Sequence, residues 1–188
     1  MTDHDLMKKK TPGTVPPYPT QWASDKLTSF LTEHLNRIYC ANAHLAERLL
    51  EILGTSSFKD LNGPIRETID ETEKHIAIMD GIYVQLQKRY SFDNCNSLIS
   101  LLEDEFTAIH QQGDDELLRD MYILSYLQNI ENVEKNSIQL LQLTAIETSS
   151  EPITLFLDKY LNRSEVKRTL HSFIIDKYNN DQKAAINL

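Results

Sequence analysis

Glu131 and Glu134 are the first residues of this chain whose placement could do chemistry. One heptad-like phase runs through Leu124, Leu127, Glu131, Glu134, Ile138, Leu141 and Ala145, and it carries both carboxylates into the apolar seam of a helix. A carboxylate buried there needs a proton, a hydrogen-bonding partner or a metal ion. A rival phase through Ile130 and Val133 leaves both glutamates at the rim, and periodicity alone does not choose between the two. Glu67, Glu71 and His75 form a second group, at successive steps of four along one helical face. Carboxylates and an imidazole on one side suit a divalent metal, and the same spacing describes an ordinary solvated face. His34 and His44 are ten positions apart and do not share a face closely enough for a two-ligand site.

Other chemistries lack their residues. The chain has no Gly-rich phosphate loop, no His-Glu-x-x-His zinc motif and no Gly-x-Ser-x-Gly elbow. Catalysis would therefore mean a metal held in a helical bundle, and the expectation is a protein that is not an enzyme. Cys40 and Cys95 are too few for a disulfide framework or a four-thiolate zinc site and read as buried, reduced thiols.

The elements that must position these groups are helices. Of the 188 residues 40% are apolar, enough for a core, while only 5 Gly and 6 Pro occur, which argues against all-β or Gly-loop architectures. Four of the six prolines fall before residue 20 behind Lys8-Lys9-Lys10, so residues 1–21 read as a flexible Pro-rich tail. The spacing of apolar residues predicts helices over about Ser24–Leu53, Pro64–Tyr90, Ser97–Gln112 and Asp115–Ile146. A fifth runs from Pro152 towards Tyr178 with a break near Asn162-Arg163-Ser164, and residues 179–188 read as a loose tail. Long helices joined by short turns pack as antiparallel neighbours, giving an all-α, up-and-down four-helix bundle with a fifth C-terminal helix over residues 22–178.

Charge narrows the partners. With 19 Lys+Arg against 28 Asp+Glu the net charge is −9, so no general attraction to nucleic acid is expected. No apolar run approaches a membrane span, and the charged N-terminus is not followed by the apolar stretch of a secretory signal. A soluble, cytoplasmic protein is expected.

Several strings carry a resemblance. Leu35-Asn36-Arg37-Ile38-Tyr39-Cys40-Ala41-Asn42 is similar to a first-helix string ending Tyr-x-Ala-Glu, and Asp70-Glu71-Thr72-Glu73-Lys74-His75 to Glu-Glu-Thr-x-x-Gln/His. Cys95-Asn96-Ser97-Leu98-Ile99-Ser100-Leu101 sits where Cys-x-Ala-Met-Glu-Gly-Leu would, and Ile130-Glu131-Asn132-Val133-Glu134 on Val-Glu-His-Tyr-Glu. Over roughly residues 25–178 the chain thus resembles the bacterial YciE/YciF family of ferritin-like proteins. The resemblance implies a ferritin-like bundle, a stress-related role, a homodimer and a metal pair held by glutamates and histidines.

The ligand inventory departs from that pattern. Asn42 stands for the first-helix glutamate, Ile99 for the third-helix one and Asn132 for a histidine, while Asn162-Arg163-Ser164-Glu165 replaces Asp-Glu-Glu-Lys. Glu71, His75, Glu131 and Glu134 remain as metal candidates. The leading expectation is a degenerate di-metal site, no cofactor and a non-catalytic bundle, with Asn42 hydrogen-bonded to Glu131 or Glu134. The alternatives are a mononuclear or weakened metal site taking iron or manganese, and a helical protein-interaction module.

Overall fold

The computed structural model describes residues 21–112, 115–148, 151–164 and 169–186. The Pro-rich segment expected to be a flexible tail lies outside them but for Gln21, as do Gly113, Ser149 and Ser150. Among the described residues the regular elements are all helical. They are α1 (Gln21–Ile52), a 3-10 turn (Ser56–Leu61), α2 (Asn62–Gln85), α3 (Asn96–Gln111), α4 (Glu116–Thr148), α5 (Glu151–Ser164) and α6 (Thr169–Ile186). The chain is the all-α helical bundle that its periodicity predicts.

Three boundaries differ from the sequence reading. The 3-10 turn was not foreseen; it buries Phe58 and Leu61 beneath the bundle end. The helix expected to reach Tyr90 stops at Gln85, because Gln87 adopts φ 52 and the amides of Gln87 and Lys88 donate back to the carbonyls of Val84 and Tyr83. This is a Schellman closure, usually announced by glycine and here built on glutamine. Tyr90 instead folds back and stacks on Tyr39, ring centroids 4.3 Å apart. At the other end α6 continues to Ile186, beyond the expected stop at Tyr178. The expected break near Asn162-Arg163-Ser164 adjoins residues 165–168, which lie outside the described residues.

Packing shows how the bundle closes. α1 lies against α2 and α4, and α5 and α6 each bridge α2 and α4, so the C-terminal segment completes a four-membered ring. The short α3 packs on α4 and α1, and it takes the accessory place that the sequence reading gave to the last helix. Its Leu98, Leu102, Phe106 and Ile109 are the buried stripe, one side of an amphipathic helix.

The ring holds two apolar clusters. One contains Leu45, Leu49, Ile65, Ile69, Leu127, Ile130 and Leu170. The other contains Leu35, Ile38, Met79, Tyr83, Ile138, Leu141 and Phe156. On α1 the division falls between Tyr39 and Ala41, on α2 between Ile69 and Met79, and on α4 between Ile130 and Ile138. Three helices thus change cluster at one level, and the residues at that level are largely polar.

Candidate functional site

The polar layer is made of Asn42 from α1, Thr68, Glu71, Thr72 and His75 from α2, Glu131 and Glu134 from α4, and the start of α6. Asn42, Thr68 and Thr72 are fully buried and Glu134 is 9% exposed. Each sits in phase with an apolar stripe, which is why the sequence places them inward. Their polar atoms then have to find partners within the bundle.

Asn42 does so twice. Its Nδ2 donates to the carbonyl of Ile38, 3.0 Å away, and to Glu134 Oε1 at 2.5 Å. The amide therefore crosses from α1 to α4 and answers a buried carboxylate with a charge-assisted hydrogen bond. Thr72 Oγ1 donates to the carbonyl of Thr68 at 2.8 Å, inside its own helix.

Glu71 faces the ring's fourth side. Its Oε1 accepts from Thr169 Oγ1 at 2.7 Å and its Oε2 from the Thr169 amide at 3.3 Å. Thr68 Oγ1 accepts from the Leu170 amide at 2.9 Å. The first amides of a helix have no partner within it, and a carboxylate there also meets the positive end of the helix dipole. Glu71 and Thr68 of α2 therefore cap α6 from outside its own chain segment.

The remaining candidates are placed as follows. Glu131 is half-buried, and its Oε1 is fully shielded with no hydrogen-bond partner. His75 is half-buried with a shielded Nδ1. Glu67 is exposed, on the solvent side of α2. Ile99 is half-buried on α3, off the ring. Among the described residues no three His, Cys, Asp or Glu side chains gather as a metal-holding group.

Both phases proposed for the fourth helix are partly realised. Glu134 and Ile130 are buried together, while Glu131 and Val133 are half-buried. The cause is packing: α4 touches α1, α3, α5 and α6, so it buries a face too wide for a single stripe.

Two clusters escaped the sequence reading. Asp120, fully buried, accepts at Oδ1 from Arg119 Nε (2.9 Å) and Nη2 (2.7 Å), and at Oδ2 from Lys177 Nζ (2.7 Å) and Tyr178 Oη (3.0 Å). Asp60 accepts from Arg119 Nη2 at 2.9 Å and Lys177 Nζ at 3.1 Å, and Arg119 Nη1 donates to the Ser57 carbonyl. The guanidinium also lies 5.4 Å from the Phe58 ring centroid. Burial pushes Asp60 upward, but the hydrogen bonds from Arg119 and Lys177 outweigh it and hold the carboxyl below its ordinary range. Arg119 and Lys177 meet Asp60 and Asp120 here, with the exposed Glu116 3.7 Å from Lys177, joining the 3-10 turn, α4 and α6.

The second cluster centres on His44, 7% exposed. Its Nδ1 is 2.8 Å from Tyr126 Oη, and its Nε2 is 3.2 Å from Glu103 Oε1, which Arg48 also binds. Burial holds the imidazole below its ordinary pKa, against the upward pull of Glu103. No local spacing could have announced either cluster, since their partners lie on different helices.

The family described as "Domain of unknown function (DUF892)" matches residues 26–180, most of the chain, and is related to the ferritin-like superfamily. No curated protein matches the chain, and no solved structure does.

Proposed function

We propose that this chain, which belongs to the DUF892 family, is a ferritin-like bundle of the YciE/YciF type in which a hydrogen-bonded polar layer stands where a di-metal centre would be. It is a stress-related, non-catalytic protein, homodimeric and cytoplasmic. The observation that carries the reading is the 2.5 Å bond from Asn42 Nδ2 to Glu134 Oε1. A divalent metal pair needs several hard oxygen ligands, and their negative charge must offset that of the cations. Asn42 contributes an amide instead of a carboxylate and spends its donor on a glutamate that a metal would use. Glu71 spends both oxygens on the start of α6. The donor set therefore does not fit a metal pair.

A second reading is favoured by one atom, Glu131 Oε1, which is shielded and has no donor. It places a single iron or manganese ion on Glu71, His75, Glu131 and Glu134. Mass action separates the two, because an ion that prefers the native state raises its melting temperature. The polar-layer reading expects no shift with manganese, ferrous iron or zinc at concentrations up to a large excess. A saturable rise that Glu131→Gln abolishes would replace it with the mononuclear site.

A further inference from the structure

We infer that Cys40 and Cys95 form an oxidisable pair, which a hydroperoxide closes to one intramolecular disulfide tying α1 to the start of α3. Both thiols are buried, 2% and 1% exposed, and both are free. Cys95 Sγ lies 3.8 Å from the Asn36 carbonyl oxygen. Within α1 that carbonyl is the acceptor for the amide of residue 40, one helical turn on. The Cys95 sulfur is therefore one hydrogen bond removed from the backbone of Cys40, and each thiol shifts the ionisation of the other. Their proximity does not depend on the polar layer or on any metal.

The surroundings assign the order of attack. Cys95 immediately precedes α3, where the unpaired helix amides favour a thiolate. The neighbouring Cys40 thiol pulls the pKa of Cys95 downward, whereas Cys95 pushes that of Cys40 upward. Burial nevertheless raises both, Cys40 to about 12. The reaction is accordingly slow and runs through openings of the segment joining α2 and α3. Asn36 pins that segment: its Oδ1 accepts from the Ser91 amide at 3.2 Å and from Tyr83 Oη at 2.7 Å.

The chemistry balances in two displacements. The Cys95 thiolate attacks one oxygen of the hydroperoxide; the O–O bond breaks, and the leaving alkoxide takes a proton. Cys95 is left as a sulfenic acid, and the peroxide is reduced to an alcohol, or to water if it was hydrogen peroxide. The Cys40 thiolate then attacks the sulfenic sulfur, the S–O bond breaks, and hydroxide leaves as water with a proton. Two thiols and one hydroperoxide give one disulfide, one alcohol and one water.

The test treats the full chain with hydrogen peroxide, blocks residual thiols after unfolding, and maps the peptides without reduction. Expected are the loss of two hydrogens from the intact mass, simultaneous disappearance of both alkylatable thiols, and a Cys40–Cys95 cross-linked peptide that dithiothreitol releases. Cys40→Ser should stop at an oxygenated Cys95 without a cross-link. If that variant does not fold by circular dichroism, the wild-type peptide map decides alone. Two thiols still fully alkylatable, oxygenation of Cys95 in wild type without a cross-link, or a disulfide only between chains would each overturn the assignment.

Discussion

Asn42 on α1 and Glu134 on α4 are joined by a 2.5 Å hydrogen bond in the middle of the bundle, and the same amide nitrogen reaches the Ile38 carbonyl at 3.0 Å. A buried side chain of α4 thus takes its donor from the neighbouring helix. Removing that donor leaves the carboxylate without it. Asn42→Ala should cost about 2 kcal/mol, the usual worth of a hydrogen bond to a charged group with its desolvation, measured by urea unfolding. Asn42→Asp should cost more at neutral pH than at pH ~4, because it sets a second carboxylate against the first.

Glu71 makes a separable prediction. Its carboxylate caps α6 through Thr169, so Glu71→Ala should lower stability by ~1 kcal/mol, in the range of lost caps. Hydrogen exchange should speed at the amides of Thr169 and Leu170 and change little in α1. Equal loss of protection in both helices would remove the capping role.

The buried ion network should be the most sensitive site. Asp120 is fully buried and takes four hydrogen bonds, from Arg119, Lys177 and Tyr178. Asp120→Asn keeps the shape and removes the charge that compensates Arg119 and Lys177. The cost should be roughly 3–5 kcal/mol, typical of breaking a buried pair from one side. A loss below ~1 kcal/mol in chemical denaturation would show that the cluster is solvated, as surface pairs are.

Acid should weaken the fold in two stages. His44 is held by burial below its ordinary value of 6.5, so the unfolded chain binds its proton first. The stability from keeping His44 neutral is complete above that value and is lost as pH falls through it to the folded pKa. Asp60 and Glu103, both depressed, contribute stability that disappears only lower, in the carboxylate range. Melting temperature should therefore decline from below pH ~6.5, and His44→Gln should flatten that first decline while leaving the second. His34 is also lowered, first by burial, so the first stage should shrink rather than vanish.

Much of this architecture is written in local pattern. The α1 stripe of Leu31, Leu35, Ile38, Leu45 and Leu49 is buried as its spacing demands, and the polar interruption at Asn42 became the bridge to Glu134. What escaped depends on residues distant in sequence. Arg119 and Asp120 look like a solvated helix start, and only Asp60 and Lys177, brought in by the 3-10 turn and α6, make them interior. The end of α2 was unreadable for a different reason: a glutamine occupies the left-handed position where glycine would have signalled a stop. The phase of α4 was ambiguous because helices cover it on several sides, so no single stripe exists to be found. The Glu67, Glu71, His75 row divides, with Glu67 in solvent and Glu71 at the α6 terminus.

Glu131 separates a bare buried oxygen from a used one. With no hydrogen-bond partner at its shielded Oε1, Glu131→Leu should be neutral or stabilising by chemical denaturation. A loss of several kcal/mol would mean that the carboxylate is satisfied by a group it needs.

The most direct measurement of the central claim is the metal content of the untagged protein by elemental mass spectrometry, after incubation with iron, manganese and zinc and exhaustive desalting. A polar layer closed by the Asn42–Glu134 bond predicts a content near zero for all three. A content of about two metals per chain, the stoichiometry of ferritin-like di-metal bundles, would contradict it, because ligands other than Asn42 and Ile99 would then have rebuilt the centre.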